Sequence, residues 1–267
     1  MDNDDLPVGR VLTRREVLTL FGAAGAAFLA ACVGLTGEEG ATATVESSAT
    51  GAPASTATQV AASTGAVNVP ACVVRPELTE GPYFVDERLI RSDIRSDPSD
   101  GSVKDGLPLQ LAFYVSQITA DGCTPLAGVT VDVWHCDAAG VYSDVSDPGF
   151  NTEGQMFLRG AQLTDGDGIA RFATIYPGWY QGRTVHIHFK IRTDPDSDQG
   201  YEFTSQLFFD DAVTDQVYAQ EPYASKGERT LRNEGDGIYQ GGGSQLLLDL
   251  SQADQGYSAN FSVGLQI

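Results

Sequence analysis

From residue 107 onward, hydrophobic and polar positions alternate in short runs: 107–117, 129–134, 169–175, 184–192, 204–209 and 257–266. A period of two over such lengths is the signature of strands with one face buried. Gly- and Asp-rich turns such as Thr164-Asp165-Gly166-Asp167-Gly168 separate the runs. The pattern predicts a mostly β domain, an antiparallel β-sandwich with Greek-key-like connections and few short helices. One helix is expected over residues 211–218, no amphipathic pattern of helix length appears elsewhere in the domain, and no internal repeat is visible. In run 184–192 the alternation also sorts chemistry. His186 and His188 fall on one face, and Val185, Ile187 and Phe189 on the other.

Composition changes this picture mainly at the N-terminal end. Thr13-Arg14-Arg15-Glu16-Val17-Leu18, followed by an apolar, Ala-rich run to Ala31, resembles a twin-arginine export signal, and Leu29-Ala30-Ala31-Cys32 resembles a lipoprotein lipobox. Residues 1–31 are therefore expected to be a signal peptide and Cys32 a lipidated N-terminus, which makes the mature protein an extracytoplasmic, membrane-anchored lipoprotein. Residues 33–70 are mostly Ala, Thr, Ser, Gly and Val, with no aromatic residue and no Lys or Arg. Such a stretch cannot bury enough surface to offset backbone entropy, so residues 32–70 are expected to carry the lipid and act as a flexible tether. The folded domain is then 71–267. With 267 residues, 42% of them hydrophobic and 9% aromatic, the chain can build a real core. Its formal net charge of −20 and only 16 Lys and Arg exclude a nucleic-acid partner, whose phosphates need clustered cations.

The chain has four cysteines. With Cys32 lipidated, an oxidising compartment pairs at most two of the other three. A bond between Cys72 and Cys123 would pin the start of the domain to the sandwich and leave Cys136 a buried thiol; the other two pairings remain open from sequence.

Two stretches gather reactive groups. Tyr180-Gln181-Gly182-Arg183-Thr184-Val185-His186-Ile187-His188-Phe189 combines a phenol, a guanidinium and two imidazoles, and Asp132-Val133-Trp134-His135-Cys136-Asp137-Ala138-Ala139-Gly140-Val141-Tyr142 is a strand running into a turn with a second tyrosine. Two phenolates and two imidazoles suit Fe(III), a hard, oxyphilic ion whose charge depresses a tyrosine pKa from about 10. Zinc would draw on Cys or carboxylates instead. His135, on a different strand, is read as structural or supporting, and Tyr176 as an ordinary packed phenol.

These motifs together resemble the intradiol ring-cleavage dioxygenases, the family of catechol 1,2-dioxygenase and protocatechuate 3,4-dioxygenase, in its small secreted branch. The family pattern of Pro-Gly-x-Tyr, Arg and His-Ile-His-Phe stands as Pro177-Gly178-Trp179-Tyr180, Arg183 and His186-Ile187-His188-Phe189. The earlier tyrosine falls on Tyr142, and the Thr-x-Gly-Pro-Tyr motif is Thr79-Glu80-Gly81-Pro82-Tyr83, followed by Phe84. The resemblance covers roughly residues 72–240.

It implies that Tyr142, Tyr180, His186 and His188 hold a non-haem Fe(III), that Arg183 stabilises charge developing on a catechol ring, and that Gln206 supports Arg183. It implies a small aromatic diol and O2 as partners in aromatic catabolism. Tyr180 would leave the metal and act as base, one oxygen atom would be inserted between the hydroxylated carbons, and a cyclic anhydride would be hydrolysed to a muconate-type diacid. Glu80, Tyr83 and Phe84 would line the pocket.

Two departures carry consequences. Tyr180 precedes His186 by only six positions, which trims the loop over the site and opens it to larger substrates. The helical region through which catechol 1,2-dioxygenases dimerise is missing, so a monomer is expected. Two readings from other classes compete: a cupin-like metalloenzyme, which lacks its expected Glu after the His-x-His strand, and a non-catalytic β-sandwich binding lipoprotein with a vestigial metal site.

Overall fold

The computed structural model describes residues 73–197 and 199–267; the expected signal peptide, Cys32, the tether and Cys72 lie outside the described residues. Two sheets face each other. The first is built on β1 (Pro108–Thr119), whose alternating burial follows its sequence pattern. One edge of β1 pairs with β11 (Tyr257–Leu265), itself flanked by β10 (Leu250–Gln252). The other edge is shared by β7 (Ile169–Ile175) and β2 (Gly122–Pro125). The second sheet runs β6 (Arg159–Leu163), β3 (Thr130–Trp134), β8 (His186–Arg192), β9 (Glu202–Phe208), and every pair in it is antiparallel. A small hairpin, β4 (Ser146–Asp147) with β5 (Phe150–Asn151), stands apart from both.

Aromatic side chains join the sheets. Phe189 of β8 lies 5.1 Å from Phe113 of β1 and 5.4 Å from Phe261 of β11, centroid to centroid. Each such fully buried ring contributes about 1.5–3 kcal/mol by removal from water, which is why the apolar face of β8 turns inward.

The opposite face of β8 carries the two histidines. Register sets His188 between Trp134 of β3 and Gln206 of β9, and His186 beside Phe208. Side chains opposite one another across a ladder share a face, so Trp134, His188 and Gln206 form one row. All seven residues of β8 are buried, because the chain also covers this second face.

The antiparallel sandwich expected from the sequence is present, with one addition: β1 and β11 run parallel. The helix at Asp211–Tyr218 (α1) has the expected bounds and is capped by Asp210, whose side chain accepts from the N–H groups of Ala212 and Val213. A one-turn helix, α2 (Gly237–Gln240), was not anticipated; Asp236 caps it through Ile238 and Tyr239. Strand β8 begins at His186 rather than at 184, since the Thr184 N–H donates to Asp236 instead of to a ladder. Cys123, in β2, is disulfide-bonded. Cys136 is free and buried, and burial pushes its thiol up to about 12.

Candidate metal centre

Four side chains from three segments meet on the outer face of β8. His186 Nε2 lies 3.0 Å from His188 Nε2, 3.1 Å from the Tyr180 hydroxyl and 3.4 Å from the Tyr142 hydroxyl. Tyr142 comes from the turn after β3, where Gly140 holds φ +80° and a Cβ would fall 2.1 Å from the Trp179 carbonyl oxygen. Only glycine permits that approach of the two tyrosine-bearing loops. Lys226 fastens the same two loops by donating to the carbonyls of Ala139 and Trp179. Gly81, at φ +72°, lets the 79–84 segment pass close to His188, where a Cβ would lie 3.2 Å from Cε1.

The hydrogen-bonding arithmetic points to a cation. His186 Nδ1 donates to the Thr184 carbonyl at 2.6 Å, which fixes the tautomer and leaves one lone pair on Nε2. One lone pair accepts one hydrogen bond, yet three polar atoms crowd around it. His188 Nδ1 is buried without a partner among the described residues. A shared metal ion satisfies together the two Nε2 lone pairs and the two hydroxyl oxygens that face this point, as hydrogen bonding cannot, whereas His188 Nδ1 lies on the other side of its ring and is no part of that count.

The electrostatics agree. Burial, then the Arg183 charge, push His186 down to about 3, and burial followed by His186 holds His188 well below the usual imidazole range. Both rings are thus neutral imidazoles with lone pairs to offer. Burial, then the Tyr180 phenol, raise Tyr142 well above its ordinary value, and burial likewise raises Tyr180. Neither phenol ionises in this pocket on its own. A trivalent cation supplies the charge that would make both phenolates, so the donor set fits Fe(III).

Arg183 reaches the centre from a buried network. Its Nε donates to Asp236 at 2.9 Å and its Nη2 to Gln206 Oε1 at 2.6 Å, while Gln206 Nε2 donates to the Thr79 carbonyl at 2.8 Å. Burial raises the Asp236 carboxyl, but Arg183 and the N–H groups of Thr184 and Tyr239 outweigh it and hold the group below the usual carboxylate range. The rim is Tyr83, whose ring lies 4.6 Å from Tyr142 and 6.3 Å from Tyr180 and whose hydroxyl donates to Asp147 at 2.7 Å. Burial, then Asp147, push its phenol up to about 12.

Residues 79–234, more than half of the chain, match the family model described as Dioxygenase (Dioxygenase_C). The chain belongs to the intradiol dioxygenase family. Among curated relatives, it is 29% identical over 151 residues to a chlorocatechol 1,2-dioxygenase of Pseudomonas putida, covering 49% of this chain and 52% of the relative. It is 32% identical over 122 residues to a protocatechuate 3,4-dioxygenase beta chain of Burkholderia cepacia, covering 42% and 51%. The chain thus spans about half the length of these relatives. Among solved structures, an intradiol ring-cleavage dioxygenase from Tetranychus urticae superimposes with TM-score 0.62 at 28% identity, over 73% of this chain and 95% of that one.

In this intradiol dioxygenase chain, the structure brings Tyr142, Tyr180, His186 and His188 together, with Arg183 and Gln206 joined to one another beside them. Tyr83 stands at the rim, Glu80 pairs with Lys190, two positions beyond His188 on the same face of β8, and Phe84 packs on Trp134 at 4.8 Å. His135 spends both ring nitrogens elsewhere: Nδ1 donates to the Cys136 carbonyl at 2.8 Å and Nε2 accepts from Thr174 at 2.7 Å. Tyr176 bonds Thr214. Sequence reasoning missed Asp236, Lys226 and Asp147. Asp236 carried a readable sign, an Asp before a Gly in a helix-start position, although nothing local ties it to Arg183.

Proposed function

We propose that this chain is a non-haem Fe(III) dioxygenase that cleaves a catechol-type ring between its two hydroxylated carbons with O2, giving a muconate-type diacid. The observation carrying this reading is the convergence of two phenols and two neutral imidazoles about one point. Bound there, Fe(III) would be held by Tyr142, Tyr180, His186 and His188 and would supply Lewis acidity toward an aromatic diol. Both oxygen atoms of O2 enter the product, so no reductant is needed.

The protein's own groups divide the remaining work. Tyr142 is 1% exposed and locked under Tyr83, whereas Tyr180 is only partly buried, so Tyr180, once a bound cation has made it a phenolate, is the side chain whose oxygen would take a proton from an incoming diol and become a neutral phenol. Arg183, pinned by Asp236 and Gln206, presents a fixed positive charge where negative charge would build on the ring. Trp134, stacked on His188 at 5.1 Å and 7°, keeps water from that side of the ligand ring.

The reading extends to location. Cys32 as a lipidated N-terminus after a twin-arginine signal would place the enzyme outside the cytoplasm on a membrane, acting as a monomer at the end of its tether. The test of function is the visible spectrum of the purified, Fe(III)-loaded protein before and after anaerobic addition of catechol. A tyrosinate-to-iron charge-transfer band that shifts on catechol is expected; a protein that stays colourless after loading refutes the proposal and favours a binding role.

A further inference from the structure

We infer that the crevice behind Trp134 is a built site for one water molecule, held jointly by Trp134, Arg159 and Glu87. This site is separate from the metal centre and does not depend on the ferric reading. The crevice lies between β3, β6 and the 84–89 segment, and its free volume to a water-sized sphere is about 10 Å³. One water needs roughly 10–15 Å³ measured this way, so the space admits one molecule.

Three buried polar atoms among its lining residues have no hydrogen-bond partner: Trp134 Nε1, Arg159 Nη1 and Glu87 Oε1. Trp134 and Arg159 are 2% and 3% exposed. The rest of the Arg159 guanidinium is spent on Ser143, with Nε donating to the hydroxyl at 2.9 Å and Nη2 to the carbonyl at 2.6 Å. That leaves Nη1 alone to face the crevice. Glu87 and Arg159 attract one another electrostatically, yet no ion pair joins them among the described residues. Both line the crevice, and each contributes an unpartnered polar atom to it.

The chemistry of the lining selects the occupant. A carboxyl oxygen facing the gap repels an anion, and two N–H donors repel a cation. A neutral molecule that accepts two hydrogen bonds and donates one satisfies all three atoms, and buried waters make about three bonds. Leaving the three groups bare would cost each the full penalty of losing its hydration. The site has a structural consequence, because the indole it anchors by its N–H edge is the ring stacked on His188.

The test uses the full chain. In a crystal structure at a resolution that places solvent, one water is expected within about 2.7–3.2 Å of all three atoms. A dry crevice closed by a direct Glu87–Arg159 ion pair, or density that anomalous scattering assigns to an ion, overturns the inference. Independently of crystals, Trp134→Phe and Glu87→Met are combined in a double-mutant cycle read by thermal unfolding. Through a shared water their Tm shifts are less than additive, the second substitution losing little once the first has released the water. Strictly additive shifts overturn the inference.

Discussion

Replacing Asp236 by Asn removes one charge and almost no volume, and the structure lets its cost be worked out. Asp236 Oδ2 accepts from Arg183 Nε at 2.9 Å and from the Thr184 N–H at 2.8 Å, while Oδ1 accepts from the Ile238 and Tyr239 N–H groups at 2.8 and 3.0 Å. Four donors face one carboxylate whose side chain is 1% exposed. An Asn side chain offers one oxygen and one NH2, so in either orientation two donors meet a donor. Breaking a buried pair costs about 3–5 kcal/mol; because Asn still caps the helix in one orientation, about 3 kcal/mol is the expectation. For a domain of this size that is a fall in Tm of about 6–12 °C. The same variant frees Arg183 to move, and a displacement near 1 Å at a charge-stabilising group lowers turnover by about 10²-fold, while the tyrosinate charge-transfer band persists. Calorimetry, ring-cleavage rates and the visible spectrum of one preparation check all three. A Tm within 1 °C of the parent and an unchanged rate would refute the argument that this carboxylate holds Arg183 in place.

Other predictions follow from the same geometry. His186→Ala should abolish Fe(III) binding and the coloured band, whereas Arg183→Ala should retain the band and lose turnover; metal analysis beside kinetics separates the two. Gly140→Ala places a methyl group against the Trp179 carbonyl at φ +80° and should cost about 1–3 kcal/mol and shift the band, since both tyrosine loops must part. His135 is pulled from 6.5 to about 4, burial being the leading cause. Its neutral form is favoured by folding, so stability is complete above pH 6.5 and falls by about 3 kcal/mol as pH drops toward 4. In His135→Gln that part of the pH dependence should vanish in urea titrations.

Much of this arrangement could be read from local pattern. Alternation in 184–192 sorted the imidazoles from Ile187 and Phe189, and the strand, its two faces and the clustering of the reactive groups followed. Strand β6 escaped because Arg-Gly-Ala-Gln-Leu has no apolar alternation; Arg159 is buried there only because Ser143 satisfies it. The parallel pairing of β1 with β11 joins Leu109 to Tyr257, a contact that no local pattern encodes. Asp236 is likewise 53 positions from the arginine it holds, and the two meet only because the 223–240 region folds back over β8. Long-range electrostatic partners of this kind leave no local trace.

The parallel pairing has a consequence for how the protein is made. The central strand of the first sheet is completed by residues 257–265, so Phe113 waits for Phe261 until about 150 further residues have been synthesised. While the ribosome is still at work, β1 presents an unpaired edge and an uncovered aromatic cluster, and such non-local closure is intrinsically slow. Chains cut before Tyr257 should remain protease-sensitive, and whatever accompanies the nascent polypeptide must shield that edge until β11 pairs with it.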